Sequence, residues 1–126
     1  MIIGTGIDIV KTQRIENLFN KFGDKFLHRV FTSDEISYCK SKKKRFCNSL
    51  ALRFAAKEAF VKAIQTGLRF DLKLTEIEVF NDALGAPHLR LHGAASEHAD
   101  KRYVTKMHLS LSDDGDYAIA NVILEG

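Results

Sequence analysis

The sequence predicts an α+β fold with a small, mostly antiparallel sheet, one long buried central helix and flanking helices. Three patterns indicate this fold. Short segments with strand character lie near both ends of the chain, a long apolar stretch with helical length lies near its middle, and a polar turn separates the last two strands. Because 126 residues suffice for one core, we expect residues 1–126 to form a single domain.

The composition is that of an ordinary globular protein, with 45% hydrophobic and 28% charged residues and one proline. The longest apolar runs are too short to span a membrane, and the start Met1–Gly4 lacks the charged region of a secretion signal. We therefore expect a soluble cytoplasmic protein with no membrane association. In that compartment Cys39 and Cys47 are expected to be free thiols.

The charge balance is mildly basic, with 19 Lys and Arg against 16 Asp and Glu, a net charge of +3 and a pI near 8.9. This balance favours an acidic partner or a phosphorylated ligand. The run Lys40–Arg45, with five basic residues in six, raises the alternative of a nucleic-acid-binding module. No aromatic residues alternate with these charges and no nucleic-acid-binding motif is present, so we expect no nucleic acid partner.

The first strand is expected from Ile2 to Val10 and has two different faces. One face carries isoleucines and a threonine, and the other carries Gly4, Gly6 and Asp8. Glycine weakens a strand and often marks the close approach of a ligand or of another backbone. A lone acid on a strand is usually a surface residue, but beside these glycines Asp8 becomes a candidate ligand.

Helical spacing of apolar residues and capping patterns predict three helices in the next part of the chain. Lys40–Arg45 is expected to be a solvated loop or a frayed helix end. The expected helices run from the cap Thr12 to Gly23, from Phe26 to Val30, and from the capping box Thr32–Glu35 to about Tyr38.

The longest helix is expected from Ser49 to Thr66, closing at Gly67. Its apolar residues cover almost the whole circumference, which indicates a buried helix. Glu58 and Lys62 nevertheless lie one turn apart on one stripe. The simplest interpretation is a surface ion pair worth a few tenths of a kcal/mol. Because unpaired buried charge is costly, the burial of the rest of the helix favours a functional role instead.

Asp8 and Glu58 together would make a two-carboxylate site with open coordination positions. Such sites suit Mg²⁺, which keeps several waters and takes further oxygens from substrate phosphates. Lys62, one turn from Glu58, would then neutralise phosphate charge. Spacing alone makes this site a suggestion.

The remaining segments alternate between strands and one helix. The polar stretch Ser112–Asp116 reads as a hairpin turn between the last two strands. The expected elements are strands at Ile77–Phe80 and His88–His92, a helix at Ala94–Arg102, and strands at Lys106–Leu111 and Tyr117–Leu124.

Four blocks of sequence resemble the holo-acyl-carrier-protein synthases, a family of 4′-phosphopantetheinyl transferases. The resemblance covers essentially the whole chain, and it implies the fold of that family. The matching residues are Gly6–Val10 with Arg14-Ile15, Arg53–Ala59 with Lys62-Ala63 and Thr66-Gly67, Val79–Asp82 with Gly85 and Pro87, and Ser110–Ser112 with Tyr117-Ala118.

The resemblance implies a Mg²⁺-dependent enzyme that transfers 4′-phosphopantetheine from coenzyme A to a serine of apo-acyl carrier protein, in support of fatty acid biosynthesis. The products would be holo-acyl carrier protein and adenosine 3′,5′-bisphosphate. It also implies a homotrimer with active sites at the subunit interfaces.

The resemblance further implies roles for individual residues. Asp8 and Glu58 would hold Mg²⁺, and Lys62 would contact the phosphate that is attacked. The coenzyme A site would also include Arg45, Arg53, Gly67, Gly85, Pro87 and Ser112. Arg14 would meet the carrier protein together with Lys21 and Lys25, although ordinary solvated charge explains these two lysines equally well.

Several positions depart from the family pattern. Many relatives have an acid where this chain has Lys11 and a glycine where it has Gln65, and Asp113 stands where histidine is frequent. The role of that histidine does not transfer to Asp113. A scaffold that binds a coenzyme-A-like nucleotide without catalysis stays an alternative, against which Asp8, Glu58 and Lys62 together argue.

Overall fold

The computed structural model describes residues 1–65 and 71–126, and its elements follow the predicted order. The α+β fold is confirmed. The helices are α1 (Thr12–Phe22), α2 (Asp24–Val30), α3 (Ser33–Ser41), α4 (Phe46–Ile64) and α5 (Gly93–Lys101), with 3₁₀ turns at Lys43–Arg45 and Leu74–Glu76. The strands are β1 (Ile2–Lys11), β2 (Ile77–Asn81), β3 (Pro87–Leu91), β4 (Lys106–Asp113) and β5 (Tyr117–Glu125).

The strands form two antiparallel sheets within the described residues. The larger sheet has the order β1-β5-β4, with Asp8 opposite Ala120 and Ala120 opposite Leu111. The smaller sheet pairs β2 with β3. The first and last strands of the chain are therefore neighbours, and they form one surface against which the long helix packs.

The helix α4 lies directly on β1, and the glycines of the strand permit this contact. A Cβ atom at Gly4 would overlap the carbonyl oxygen of Ala63, and one at Gly6 would overlap that of Ala59. The inner face of β5 adds small and branched residues, Ala118, Ala120, Val122 and Leu124, all of them buried. The glycines thus mark a close backbone approach, one of the two meanings that the sequence suggested.

The core encloses an ion pair that the sequence analysis missed. Lys57 Nζ, on α4, donates to Glu35 Oε1 at 2.7 Å and to the carbonyl oxygens of Leu74 and Ile77 at 3.0 and 2.6 Å. Glu35 Oε2 accepts from the backbone N–H of Val79 at 2.8 Å. Both charged side chains have no exposed surface, so the pair ties α3, α4 and β2 together away from water.

Several predicted boundaries are wrong. The helix α3 continues to Ser41, past the expected end near Tyr38, and β4 continues to Asp113, so the first two residues of the expected hairpin turn belong to the strand. Thr12 does not cap α1, because Lys11 occupies the N-cap position and Thr12 is the first helical residue. The helix α4 begins three residues earlier than expected, at Phe46. It ends at Ile64 because Gln65 adopts the left-handed conformation, with φ of 51°. The predicted closure at Gly67 lies outside the described residues.

The outer face of the larger sheet carries exposed isoleucines on β1 and β5 and polar residues on β4. Ile7 and Ile9 of β1 retain 62% and 60% of their surface, and Ile119 of β5 retains 38%. Ile9 and Ile119 are direct partners in the strand pairing. These three isoleucines are called the outer sheet patch below.

Two further sequence predictions concern covalent and membrane features. Cys39 and Cys47 are free, as expected. Burial raises the pKa of both thiols. Among the described helices, none has the length and apolar character needed to cross a membrane.

Candidate active site

The contact between β1 and α4 brings Asp8 and Lys62 together. Asp8 lies on the inner face of β1, between Gly6 and Val10, and 17% of its side chain is exposed. Lys62 Nζ donates to Asp8 Oδ1 at 3.0 Å and to the carbonyl oxygen of Ile7 at 2.9 Å. Two residues 54 positions apart in sequence therefore form one charged site at the edge of the helix–strand contact.

Glu58 belongs to the same edge of α4. It is half-buried and lies one helical turn before Lys62. The strand and the helix run in opposite directions, since Gly4 meets Ala63 and Gly6 meets Ala59. Asp8 is therefore level with the helical turn that contains Glu58. We call Asp8, Glu58 and Lys62 the carboxylate cluster.

The donor set of the carboxylate cluster fits Mg²⁺. Within the described residues, no group of three or more His, Cys, Asp and Glu side chains is arranged to hold a metal. The protein would thus offer the two carboxylates of Asp8 and Glu58. Mg²⁺ is typically bound by one or two carboxylates, with water and substrate phosphate oxygens as its other ligands.

A second group of predicted residues lies around a cavity of about 370 Å³. The cavity carries three cationic side chains, an aromatic ring and an exposed loop, a lining suited to an anion that bears a flat ring. We call it the cationic cavity. Its lining includes Tyr38, Lys42, Arg45, Arg53, Asn81, Gly85, Pro87 and Leu111.

Arg53 is the most enclosed cation of this cavity, with 3% of the residue exposed. Its Cζ atom lies 4.0 Å from the centre of the Tyr38 ring, and its Nη2 donates to Asn81 Oδ1 at 2.7 Å. Asn81 Nδ2 in turn donates to the carbonyl oxygen of Gly85 at 3.0 Å. Arg53 Nε is buried without a hydrogen-bond partner in the described part of the chain.

The position of Arg53 has an electrostatic consequence. A buried guanidinium is costly unless an anion compensates it. Among residues 1–65 and 71–126, Arg53 forms no ion pair with a carboxylate. An anionic ligand in the cavity would compensate the charge of Arg53, so the cavity favours binding of an anion.

Arg45 stands at the rim of the cationic cavity and is paired. Its Nη2 lies 2.6 Å from Asp113 Oδ2, at the end of β4. The neighbouring Ser112 is exposed on the other face of the strand, whereas Leu111 lines the cavity. No role for Asp113 followed from the sequence, and this contact shows the partner of its carboxylate.

The carboxylate cluster and the cationic cavity of one chain do not lie together. Arg53 and Glu58 are five residues apart on α4, which rotates them by about 140° around the helix axis. Lys62 faces β1, whereas Arg53 faces Tyr38 of α3 and Asn81 of β2. The carboxylate cluster and the cationic cavity thus lie on different sides of the long helix.

The residues expected to meet a carrier protein share another surface. Arg14, Lys21 and Lys25 are all exposed, on α1 and at the start of α2. Arg14 Cζ lies 5.5 Å from the Phe54 ring centre, and Lys21 Nζ lies 5.2 Å from that of Phe22. Lys25 borders an apolar groove with Leu18, Phe22, Phe26 and Arg29. Gly67, expected at the nucleotide cleft, lies outside the described residues.

Comparison with known proteins identifies the class to which this chain and its fold belong. A family model described as the 4′-phosphopantetheinyl transferase superfamily matches residues 4–122. The holo-[acyl-carrier-protein] synthase of Geobacter sulfurreducens is 46% identical over 125 residues, which is 99% of this chain and 98% of that protein. The chain belongs to the holo-[acyl-carrier-protein] synthases of this superfamily.

Solved structures agree with this assignment. The holo-[acyl-carrier-protein] synthase of Neisseria meningitidis has a TM-score of 0.89 and 39% identity, and the match covers 100% of both chains. The Helicobacter pylori enzyme, solved in complex with coenzyme A, has a TM-score of 0.83 and 36% identity, covering 96% of this chain and 99% of that one. The resemblance inferred from the sequence motifs is confirmed.

Proposed function

We propose that this enzyme transfers 4′-phosphopantetheine from coenzyme A to a serine of apo-acyl carrier protein. The products are holo-acyl carrier protein and adenosine 3′,5′-bisphosphate. Membership of the holo-[acyl-carrier-protein] synthases supports this reaction. The single observation that carries it is the contact of α4 with β1, which sets Asp8 beside Lys62 one turn from Glu58.

Asp8 and Glu58 are proposed to hold Mg²⁺ against the pyrophosphate of coenzyme A. When bound, the ion supplies Lewis acid chemistry, polarising the attacked phosphate and stabilising charge on the leaving group. The limited exposure of Asp8 supports this role, because a partly desolvated carboxylate attracts a cation more strongly than one in bulk water.

The serine hydroxyl attacks the β-phosphorus of coenzyme A. A bond forms between the serine oxygen and phosphorus, and the bond from phosphorus to the oxygen bridging to the α-phosphate breaks. That oxygen leaves with the electron pair as part of adenosine 3′,5′-bisphosphate. Lys62 stabilises the negative charge on the phosphoryl oxygens, and Glu58 accepts the serine proton through a water.

The cationic cavity is proposed to hold the nucleotide end of coenzyme A. Arg45 and Arg53 would bind its 3′-phosphate, since guanidinium groups match phosphate geometry. The buried Nε of Arg53, which has no hydrogen-bond partner among residues 1–65 and 71–126, supports this proposal. Gly85 and Pro87 border the same cavity, with Ser112 one residue from its lining, and Gly67 is proposed for the same cleft.

We propose a homotrimer with active sites at the subunit interfaces. One molecule of coenzyme A must reach both the carboxylate cluster and the cationic cavity, which lie on different sides of α4. A cavity supplied by a neighbouring chain meets this requirement. The outer sheet patch of Ile7, Ile9 and Ile119 supports self-association, because apolar surface of this kind is stabilised by burial.

The carrier protein is proposed to dock on the surface that carries Arg14, Lys21 and Lys25. Exposed cations beside apolar side chains suit an acidic, amphipathic helix. The product would serve fatty acid biosynthesis. We place the reaction in the cytoplasm, a proposal that the free thiols Cys39 and Cys47 support.

Intact-mass analysis of apo-acyl carrier protein tests the proposed function. The carrier protein is incubated with the enzyme, coenzyme A and Mg²⁺, with and without a chelator. We expect the mass to increase by one phosphopantetheine, and the increase to disappear with chelator. An unchanged mass with folded enzyme and a competent carrier protein would instead support a scaffold that binds nucleotide without catalysis.

A further inference from the structure

The ion pair between Arg45 and Asp113 places a carboxylate at the rim of the cationic cavity. Arg45 lies in the 3₁₀ turn before α4, and Asp113 ends β4, so the contact joins segments 68 residues apart. The cavity lining contains Lys42, Arg45 and Arg53. Asp113 thus places a negative charge beside Arg45, one of the three cations that line the cavity.

The Asp113 carboxylate is restrained by the strand that carries it and by its contact with Arg45. Its strand position pairs with Ala118 of β5, and only 17% of its side chain is exposed. The Arg45 side chain is 57% exposed, so it remains accessible to a ligand. Among the residues that the structure describes, this contact engages Nη2 of Arg45 and leaves its other N–H donors available.

We propose that Asp113 competes with the 3′-phosphate of the nucleotide for Arg45. This inference rests on the proposed function, in which Arg45 and Arg53 bind that phosphate. A phosphate that binds Arg45 finds its Nη2 donor already bound to Asp113, and it is repelled by the negative charge of that carboxylate. Asp113 therefore weakens the binding of every ligand with a 3′-phosphate, including the product adenosine 3′,5′-bisphosphate, and so favours product release.

The sign of the effect separates competition from positioning. If Asp113 only oriented Arg45, weakening the contact would weaken phosphate binding. In Asp113→Asn the amide oxygen still accepts a hydrogen bond from Arg45, but the negative charge is gone. Competition then predicts tighter binding of the 3′-phosphate, whereas positioning predicts equal or weaker binding.

Calorimetry with three probes tests the proposal: coenzyme A, 3′-dephospho-coenzyme A and adenosine 3′,5′-bisphosphate, each in Mg²⁺. We expect Asp113→Asn to bind the two 3′-phosphate ligands roughly 1.5-fold to fivefold more tightly, the range of a partly exposed ion pair. Binding of 3′-dephospho-coenzyme A should be unchanged. The matched control is Asp116→Asn, which removes an exposed acid from the same hairpin and should change none of the affinities.

A second variant pair guards against indirect effects. In an Arg45→Gln background, Asp113→Asn should no longer tighten binding, because the group under competition is absent. Equal or weaker binding of coenzyme A by Asp113→Asn overturns the proposal, as does an equal gain for 3′-dephospho-coenzyme A. If the wild-type enzyme fails to bind coenzyme A at all, the proposed function itself is wrong. That outcome differs from one in which the wild type binds coenzyme A and Asp113→Asn leaves the ratio of the affinities for coenzyme A and 3′-dephospho-coenzyme A unchanged.

Discussion

Asp8, Glu58 and Lys62 are three ordinary charged residues, and their significance at the residue scale comes from their position. Asp8 is two residues from a glycine that touches α4, so its carboxylate is held at the edge of the helix. Lys62 already neutralises one of its oxygens at 3.0 Å. The ammonium group of Lys62, held in this way, can stabilise developing negative charge without reorganising during the reaction, whereas the two carboxylates would act by holding Mg²⁺.

Replacing either carboxylate of this cluster should abolish transfer without unfolding the protein. We expect Asp8→Asn and Glu58→Gln to lower the rate of holo-carrier-protein formation at least about 100-fold, in line with the loss of one preorganised electrostatic group. The rate is measured by intact mass and the fold by circular dichroism.

The matched control for these variants is Glu97→Gln, an exposed glutamate on α5. It should keep the wild-type rate. A folded Asp8→Asn or Glu58→Gln variant that also retains the wild-type rate would contradict the assignment of the metal site.

Arg14→Ala should weaken carrier-protein binding and leave coenzyme A affinity nearly unchanged. The reason is its location on α1, exposed beside Phe54 and away from the cationic cavity. Titration of apo-acyl carrier protein at saturating coenzyme A measures the effect as a raised KM. A variant whose defect lies in coenzyme A binding alone would show that this role is wrong.

The residues of the site were predictable to different degrees. Asp8 was recognisable because it is a charged residue beside glycines on a strand. Glu58 and Lys62 were recognisable because they are charged residues on a helix that is otherwise mostly apolar. The partner of Arg45 was not predictable, since Asp113 is 68 residues away and only the register of β4 places it there. Tyr38 was expected only as the end of a helix, and its contact with Arg53 depends on how α3 packs against α4.

At the scale of elements, the position of α4 depends on a buried charge as well as on apolar packing. Lys57 binds Glu35 and two carbonyl oxygens, and so fixes the helix to α3 and to the start of β2. Burial lowers the pKa of Lys57, while the charge and hydrogen bond of Glu35 act in the opposite direction. Helical periodicity marked the helix as buried but could not identify a partner 22 residues away.

Lys57→Met should destabilise the protein severely. The substitution leaves Glu35 buried without its cation, and breaking a buried pair in this way costs about 3–5 kcal/mol. Urea unfolding measures the loss. The control Lys40→Met, at an exposed position on α3, should change the free energy of unfolding by less than about 1 kcal/mol. Similar losses for both variants would show that the pair contributes little.

Glu78 on β2 should make stability depend on acid pH. Desolvation opposes its ionisation, but hydrogen bonds from Thr32 and His92 hold its pKa below the ordinary value. The Thr32 Oγ1 donor lies 2.7 Å from Glu78 Oε2. Because the folded pKa is below the unfolded value of about 4.3, the stabilisation is present above that pH and is lost as pH falls through the folded pKa.

The Glu78→Gln variant tests this dependence by urea unfolding at pH values from about 6 down to about 3, which bracket the unfolded carboxyl pKa. The wild type should be more stable than the variant at the upper end, and the difference should shrink as pH falls. A difference that stays constant across the range would show that ionisation of Glu78 does not contribute.

At the scale of the whole molecule, the order of the helices and strands was predictable from the sequence, but the contacts between them were not. Alternation, capping and turn patterns placed every strand and helix within a few residues. Gly4 and Gly6 predicted the close approach of a ligand or of another backbone, but not that this backbone is α4. The exposed outer sheet patch was not predictable, because sequence does not distinguish an isoleucine in the core from one at an interface.

The arrangement of the two functional groups leads to the central claim, that the reaction site is completed between chains. The carboxylate cluster of one chain would hold the pyrophosphate of a coenzyme A molecule, and the cationic cavity of its neighbour would hold the 3′-phosphate of the same molecule. A chain lacking Asp8 and a chain lacking Arg53 should then complement each other, because a mixed trimer contains one intact site.

The measurement that tests this claim most directly is transferase activity after co-expression of Asp8→Asn and Arg53→Leu chains, with mixed trimers isolated by two different affinity tags. Each variant is first shown to be folded and inactive by itself. Activity should return in the mixed trimers and not when the two purified proteins are combined without subunit exchange. Mixed trimers that remain inactive would contradict a site shared between chains.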